Sequence, residues 1–184
     1  MAINLVKGQR AEVGLRKVSV GLGWDPVQAG QTADLDLSAF GLSASGKLVQ
    51  DDFFVFFSNL RSPDQAIVSA GDSRTGEESD GGDDESIVVD LARLDPRVDQ
   101  ILFTATIYDS KAKRQNFGQV RNAYVRICDA STQEEICKYE LCEDFSVEMA
   151  VEFGRLYKKN GAWKFEAIGT GYPEEIDFLV NKYQ

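Results

Sequence analysis

The chain has 184 residues, 43% of them hydrophobic and 10% aromatic, which is enough for one globular domain, 1–184, with a sizeable core. Acids outnumber bases 30 to 20, and the formal charge of −10 disfavours nucleic acid as a partner and favours cations. Histidine is absent, which excludes Ser-His-Asp and Cys-His catalysis and leaves oxygen-rich groups as the natural metal ligands.

No stretch approaches the roughly 20 apolar residues of a membrane span, and Met1 to Arg10 lacks the apolar block of a secretory signal. A cytoplasmic location without a membrane span is therefore expected. Cys128, Cys137 and Cys142 show neither a CxxC pair nor zinc-ribbon spacing and read as reduced core residues.

In chain order, alternating apolar residues predict half-buried strands rather than helices. Val18, Val20, Leu22 and Trp24 form one face, and Leu35, Leu37 and Ala39 a second. Phe53 to Phe57 reads as a fully buried strand, followed by strand-like Ala66 to Ser69, Ile87 to Leu91 and Ile101 to Tyr108. Ala123, Val125 and Ile127 alternate, as do Cys137, Tyr139 and Leu141. Val151 to Tyr157 and Trp163 to Ala167 flank Asn160-Gly161, a pair that supplies the positive φ angles of a tight hairpin. From about Pro173 a final helix is expected, with Glu174 and Glu175 at its positive end and Ile176, Leu179, Val180 and Tyr183 on one face. This order predicts an all-β fold, an antiparallel β-sandwich of nine or ten strands with acidic loops and a short C-terminal helix.

Functional information concentrates in residues 71–85, where seven acidic residues face Arg74 alone. Glycines 71, 76, 81 and 82 let this backbone aim several carboxylates at one point, as the roughly six to eight oxygen ligands of Ca²⁺ require. A solvated acidic loop is the alternative reading, because Asp80-Gly81-Gly82-Asp83 does not follow the EF-hand ligand pattern. Asp34-Leu35-Asp36-Leu37-Ser38 imitates the first EF-hand ligands, but Ala39 stands where that motif needs Gly and Ser45 where it needs Glu. It reads as a strand with both aspartates on one face, turned to solvent or forming a metal site at the strand end. Asp25 in Gly23-Trp24-Asp25-Pro26 reads as a turn former, and Glu143-Asp144 as a loop. Gly21-Leu22-Gly23 lacks the remaining signature of a nucleotide loop, and Arg114 to Gln119 reads as a structured polar turn.

Val20-Gly21-Leu22-Gly23-Trp24-Asp25, Asp34 to Phe40, Phe54 to Leu60, the acidic loop, Gln115-Asn116-Phe117-Gly118-Gln119-Val120, Glu143 to Ser146 and Asn160 to Phe165 follow one another in the order typical of TerD proteins. The chain resembles the TerD (tellurium resistance) family over nearly its whole length. The resemblance implies a non-enzymatic, cytoplasmic β-sandwich of bacterial stress operons that binds Ca²⁺, more than one ion, through acidic loops. It assigns ligand roles to Asp25, Asp72, Asp83, Asp84 and Glu85, and extends them to Asp36, Asp80, Glu143 and Asp144. Ser73 stands where the family commonly has Asn, and the loop is about two residues longer around Glu78-Ser79.

The function expected from this resemblance is a Ca²⁺-ordered interaction module whose partners are other proteins of the same operon. One alternative is a Ca²⁺-bridged binder of anionic membrane lipid. Another is a phosphoesterase using carboxylate-held ions, for which no general base can be named.

Overall fold

A computed structural model describes residues 3–25, 33–71, 82–141 and 145–184. The described residues form two sheets packed face to face. The strands are β1 (Ile3–Asn4), β2 (Arg10–Glu12), β3 (Lys17–Asp25), β4 (Leu35–Leu42), β5 (Phe54–Val55), β6 (Ile67–Ser69), β7 (Glu85–Asp90), β8 (Gln100–Ile107), β9 (Arg121–Asp129), β10 (Glu135–Glu140), β11 (Ala150–Lys159) and β12 (Ala162–Tyr172). Two short helices, α1 (Ser110–Lys113) and α2 (Ile176–Tyr183), accompany them. The first sheet runs β1-β10-β9-β3-β7-β6 and the second β2-β12-β11-β8-β4-β5. All these pairings are antiparallel except β1 with β10.

The alternation seen in the sequence decides which side chains fill the space between the sheets. From the first sheet come Val18, Val20, Leu22 and Trp24 of β3, Ile87 and Val89 of β7, and Val125 and Ile127 of β9. The second sheet contributes Leu35, Leu37 and Ala39 of β4, Ile101, Phe103 and Ala105 of β8, and Phe153 of β11. Asn160 and Gly161 both take positive φ, 53° and 79°, at the turn between β11 and β12, the geometry that matches the twist of the strands it joins.

The expected buried strand at Phe53 to Phe57 is formed only in part. Asp51–Phe53 is a turn of 3₁₀ helix, only Phe54–Val55 pairs with β4, and Phe57 is 39% exposed. An apolar run fixes burial but not period, and here the aromatic rings stack outward along the sheet: Phe40 on Phe54 at 4.4 Å and Phe54 on Phe56 at 4.3 Å between centroids. The C-terminal helix begins at Ile176 rather than Pro173, with Glu175 in an extended N-cap conformation.

Helix α2 covers the outer face of the second sheet. Leu179 packs with Phe40, Leu42, Phe54 and Leu102, making a small second core outside the sandwich. Fully burying a leucine contributes roughly 1.5–3 kcal/mol. The far end of the helix is pinned by Lys47, whose ammonium donates to the carbonyls of Lys182 and Gln184. Lys182 itself reaches Glu152, a carboxylate 4% exposed, at 2.7 Å.

Candidate metal centre at the acidic end

β3 ends, and β4, β7 and β9 begin, at one end of the sandwich. Register places Leu22 beside Glu85 and Asp25 beside Arg121, and a bond from the Leu37 amide to Glu85 ties β4 of the opposite sheet to the same end. Of the residues expected to bind metal, Asp25, Asp83, Asp84 and Glu85 stand here. Asp72, Asp80, Glu143 and Asp144 lie outside the described residues, as does Cys142.

The three consecutive acids do different things. Glu85 shares the parity of Ile87 and Val89, so its side chain enters the space between the sheets, where it is 6% exposed. There its carboxylate accepts the Leu37 amide at 2.7 Å. Asp84 accepts the Trp24 amide at 3.0 Å, while its own amide donates to the Leu22 carbonyl at 2.9 Å. Asp83 turns to the outer face of the first sheet. Its carboxylate lies 2.7 Å from Arg126 Nε and accepts the Tyr124 hydroxyl at 3.2 Å. Charge-assisted bonds of this kind are the stronger ones, and this pair is largely shielded from water.

Asp83 can occupy this position because Gly21 presents no side chain beneath it; a Cβ there would overlap the carboxylate. Gly23 leaves the same kind of room for the Tyr124 ring. These two glycines, which suggested a phosphate loop by composition, instead make a flat bed for an acidic side chain and a phenol. Burial, and next the nearby Asp83 charge, push the Tyr124 hydroxyl up to about 12, so it stays protonated and able to donate. Lys138 stacks 4.2 Å from the Tyr124 ring centroid and pairs with Glu140 at 2.7 Å, extending alternating charge across the outer face.

Asp25 is exposed at the end of β3, where its carboxylate accepts a bond from the Asn122 side chain at 2.6 Å. Asp36 does not join these acids. It is on the face of β4 opposite Leu35 and Leu37, 5% exposed, and lines a cavity beside the start of α2. The solvent-facing reading of that side chain is therefore corrected: β4 is covered on both faces, because α2 and the ring stack close over its outer side.

Among the described residues no three acidic or cysteine side chains gather closely enough to hold an ion. What is present is nevertheless the donor chemistry of a hard cation: oxygen ligands only, with Asp84 and Glu85 already oriented by backbone amides. Asn122, Tyr124 and Arg126 were not singled out by sequence reading. They are the polar positions alternating with Ala123, Val125 and Ile127, a signal for an outward face but not for what it contacts.

The segment read as a polar turn is one. Arg114 takes a left-handed conformation after α1, and Asn116 and Gln119 form a capping box around the 3₁₀ turn Phe117–Gln119. Phe117 and Phe145 meet at 6.5 Å beneath it.

A family model described as the TerD domain matches residues 1–183. General stress protein 16U of Bacillus subtilis is 46% identical over 190 residues, covering 100% of this chain and 97% of that protein. Tellurium resistance protein TerD of Serratia marcescens is 45% identical over 189 residues, with 100% and 97% covered. The crystal structure of a homologue of telluride resistance protein TerD from Streptomyces coelicolor superposes with a TM-score of 0.76 at 25% identity, covering 91% of this chain and 96% of that one.

Proposed function

The chain belongs to the TerD domain family, whose named members are tellurium resistance and general stress proteins, and on that premise we propose that it is a calcium-dependent interaction module rather than an enzyme. The observation that carries this reading is that Asp25, Asp84 and Glu85 stand at the same end of the sandwich, with Asp84 and Glu85 held in fixed directions by the Trp24 and Leu37 amides. Seven acids in residues 71–85 repel one another, and a hard cation is the simplest agent that draws them together.

In this reading Asp84 and Glu85 belong to the calcium-binding set, joined by Asp25 and by carboxylates of the neighbouring acidic segments. Bound calcium supplies charge neutralisation. The protein's own groups do the rest: the Trp24 and Leu37 amides hold two carboxylates in fixed directions, and Arg126 keeps Asp83 on the outer face. Neutralising this end converts a repelling surface into one that a protein of the same cytoplasmic stress system can dock against.

The test is calorimetric titration of chelator-treated protein with Ca²⁺, followed by thermal melting. Ligand at about 100 times its Kd stabilises by roughly 2.7 kcal/mol, which for a chain of this size raises Tm by about 5–11 °C. An absent heat of binding, or equal effects of Mg²⁺ at the same low concentration, would overturn the proposal.

A further inference from the structure

Trp24 ends the inward-facing stripe of β3, one alternation beyond Leu22 and next to Asp25. It is 4% exposed, and its indole nitrogen is enclosed. The Nε1–H has no hydrogen-bond partner among the described residues. A buried indole normally finds an acceptor, because enclosing an N–H without one forfeits its bond to water. Phenylalanine would fill an apolar position without that penalty. The orphaned group is a donor only, so what satisfies it is an oxygen and not a cation.

The acceptor within reach is Glu85. It is the register partner of Leu22, and both Trp24 and Glu85 extend into the space between the sheets. Trp24 is thus its diagonal neighbour on the same face, a relation that spans roughly 7–8 Å and is bridged by aromatic and long side chains. A carboxylate offers about four acceptor sites, enough to hold the Leu37 amide, a second donor and an ion together.

The order of residues gives the direction of movement. β3 runs from Leu22 through Trp24 to Asp25 toward the acidic end, and the Trp24 amide already holds Asp84. An ion shared by Asp25, Asp84 and Glu85 therefore sits on the Trp24 side of Glu85. Turning Glu85 to that ion carries its carboxylate toward the indole.

We infer that the Trp24 indole is a positioning donor for the calcium set: when Glu85 turns to the ion, Nε1–H bonds its carboxylate and fixes the ligand's direction. The inference rests on the calcium-binding reading and adds to it a residue that carries no charge and touches no metal. Trp24 then serves two ligands, its amide holding Asp84 and its indole Glu85. Ligating groups depend on such outer partners, whose loss typically weakens metal binding about 10–100-fold.

The experiment follows the indole signals of the ¹⁵N-labelled full chain, treated with chelator and then titrated with Ca²⁺. The chain holds two tryptophans, and Trp163, in β12 of the other sheet, is the internal control. The Trp24 Hε1 resonance should move downfield with the same Kd that calorimetry gives, while that of Trp163 stays in place. Trp24→Phe, which also assigns the signal, should weaken calcium binding about tenfold. Because the smaller ring also changes packing, a second protein carries benzothienylalanine at position 24, which keeps the ring's size and replaces N–H by sulfur. It should lose as much affinity. In Glu85→Ala at saturating Ca²⁺ the downfield shift should vanish. Calcium binding without an indole shift, full affinity with the sulfur ring, or a shift of full size in Glu85→Ala would each overturn the assignment and leave the calcium reading standing. An absent heat of calcium binding in the parent would overturn both.

Discussion

The Asp83 carboxylate lies directly over the Cα of Gly21, in the space that a side chain at that position would fill. Gly21→Ala should therefore push Asp83 off its bed and strain the Arg126 pair. Overpacking of this kind costs about 1–3 kcal/mol. Urea unfolding of the chelator-treated protein measures it, and an unchanged midpoint would mean that Asp83 moves aside freely.

Asp83 and Asp84 should separate experimentally. Trp24, whose amide binds Asp84, is close enough to sensitise a terbium ion held at the acidic end. Asp84→Asn and Glu85→Gln should each reduce terbium luminescence and weaken calcium binding at least tenfold, because each removes a charged oxygen ligand. Asp83→Asn should act chiefly on the metal-free protein, lowering its stability by about 1–2 kcal/mol through the lost ion pair with Arg126. If Asp83→Asn abolishes the signal and Asp84→Asn does not, the roles are reversed.

A pH dependence follows from Glu166, which joins Arg155 at 2.7 Å and Arg10 at 3.0 Å. Burial pushes this carboxyl up, but bonds from Arg155 and Arg10 outweigh it and hold the group below its ordinary 4.5. A carboxyl that ionises more readily when folded stabilises the protein above 4.5 and loses that contribution as pH falls through its folded value. Glu166→Gln should therefore be less stable than the parent at pH 7, with the two curves converging in acid below 4.5. Parallel curves would rule out this linkage.

Burial pushes the Cys137 thiol up to about 12, and Cys128, also buried, is raised for the same first reason. The thiolate is the reactive form. In a Cys142→Ser background, neither thiol should react with a disulfide reagent at pH 8 until urea unfolds the chain. Fast native labelling would mean that at least one of these sulfurs is reachable in the folded protein.

The sandwich was readable because Val18 to Trp24, Leu35 to Ala39 and Val151 to Tyr157 each alternate against one core, and because Asn160-Gly161 dictates its own turn. Phe53 to Phe57 misled because five consecutive residues that are apolar or aromatic carry no period, so nothing local told a strand from a ring stack under α2. Asp36 reads as exposed for a related reason: the helix that covers its face lies some 140 residues farther along the chain. In the acidic segment, type and density were legible, but direction was not. Whether Asp83 points to an ion or to Arg126 depends on a glycine in β3 and an arginine in β9, which only the register of the first sheet brings together.

The two-residue turn at Asn160-Gly161 also sets a timetable. β11 and β12 can zip from it without waiting for any distant segment, and hairpins form in about 1–10 μs. Their neighbours must search farther: β8 lies some fifty residues upstream of β11, and β1 must find β10 across more than 130 residues. Chain closure over such lengths comes before any reward from packing, which makes the pairing of the N-terminal strands, β1 with β10, β2 with β12 and β3 with β9, the slow event. The acidic end is built on β3, so newly made protein should acquire its candidate cation site late, after the β11–β12 hairpin has already formed.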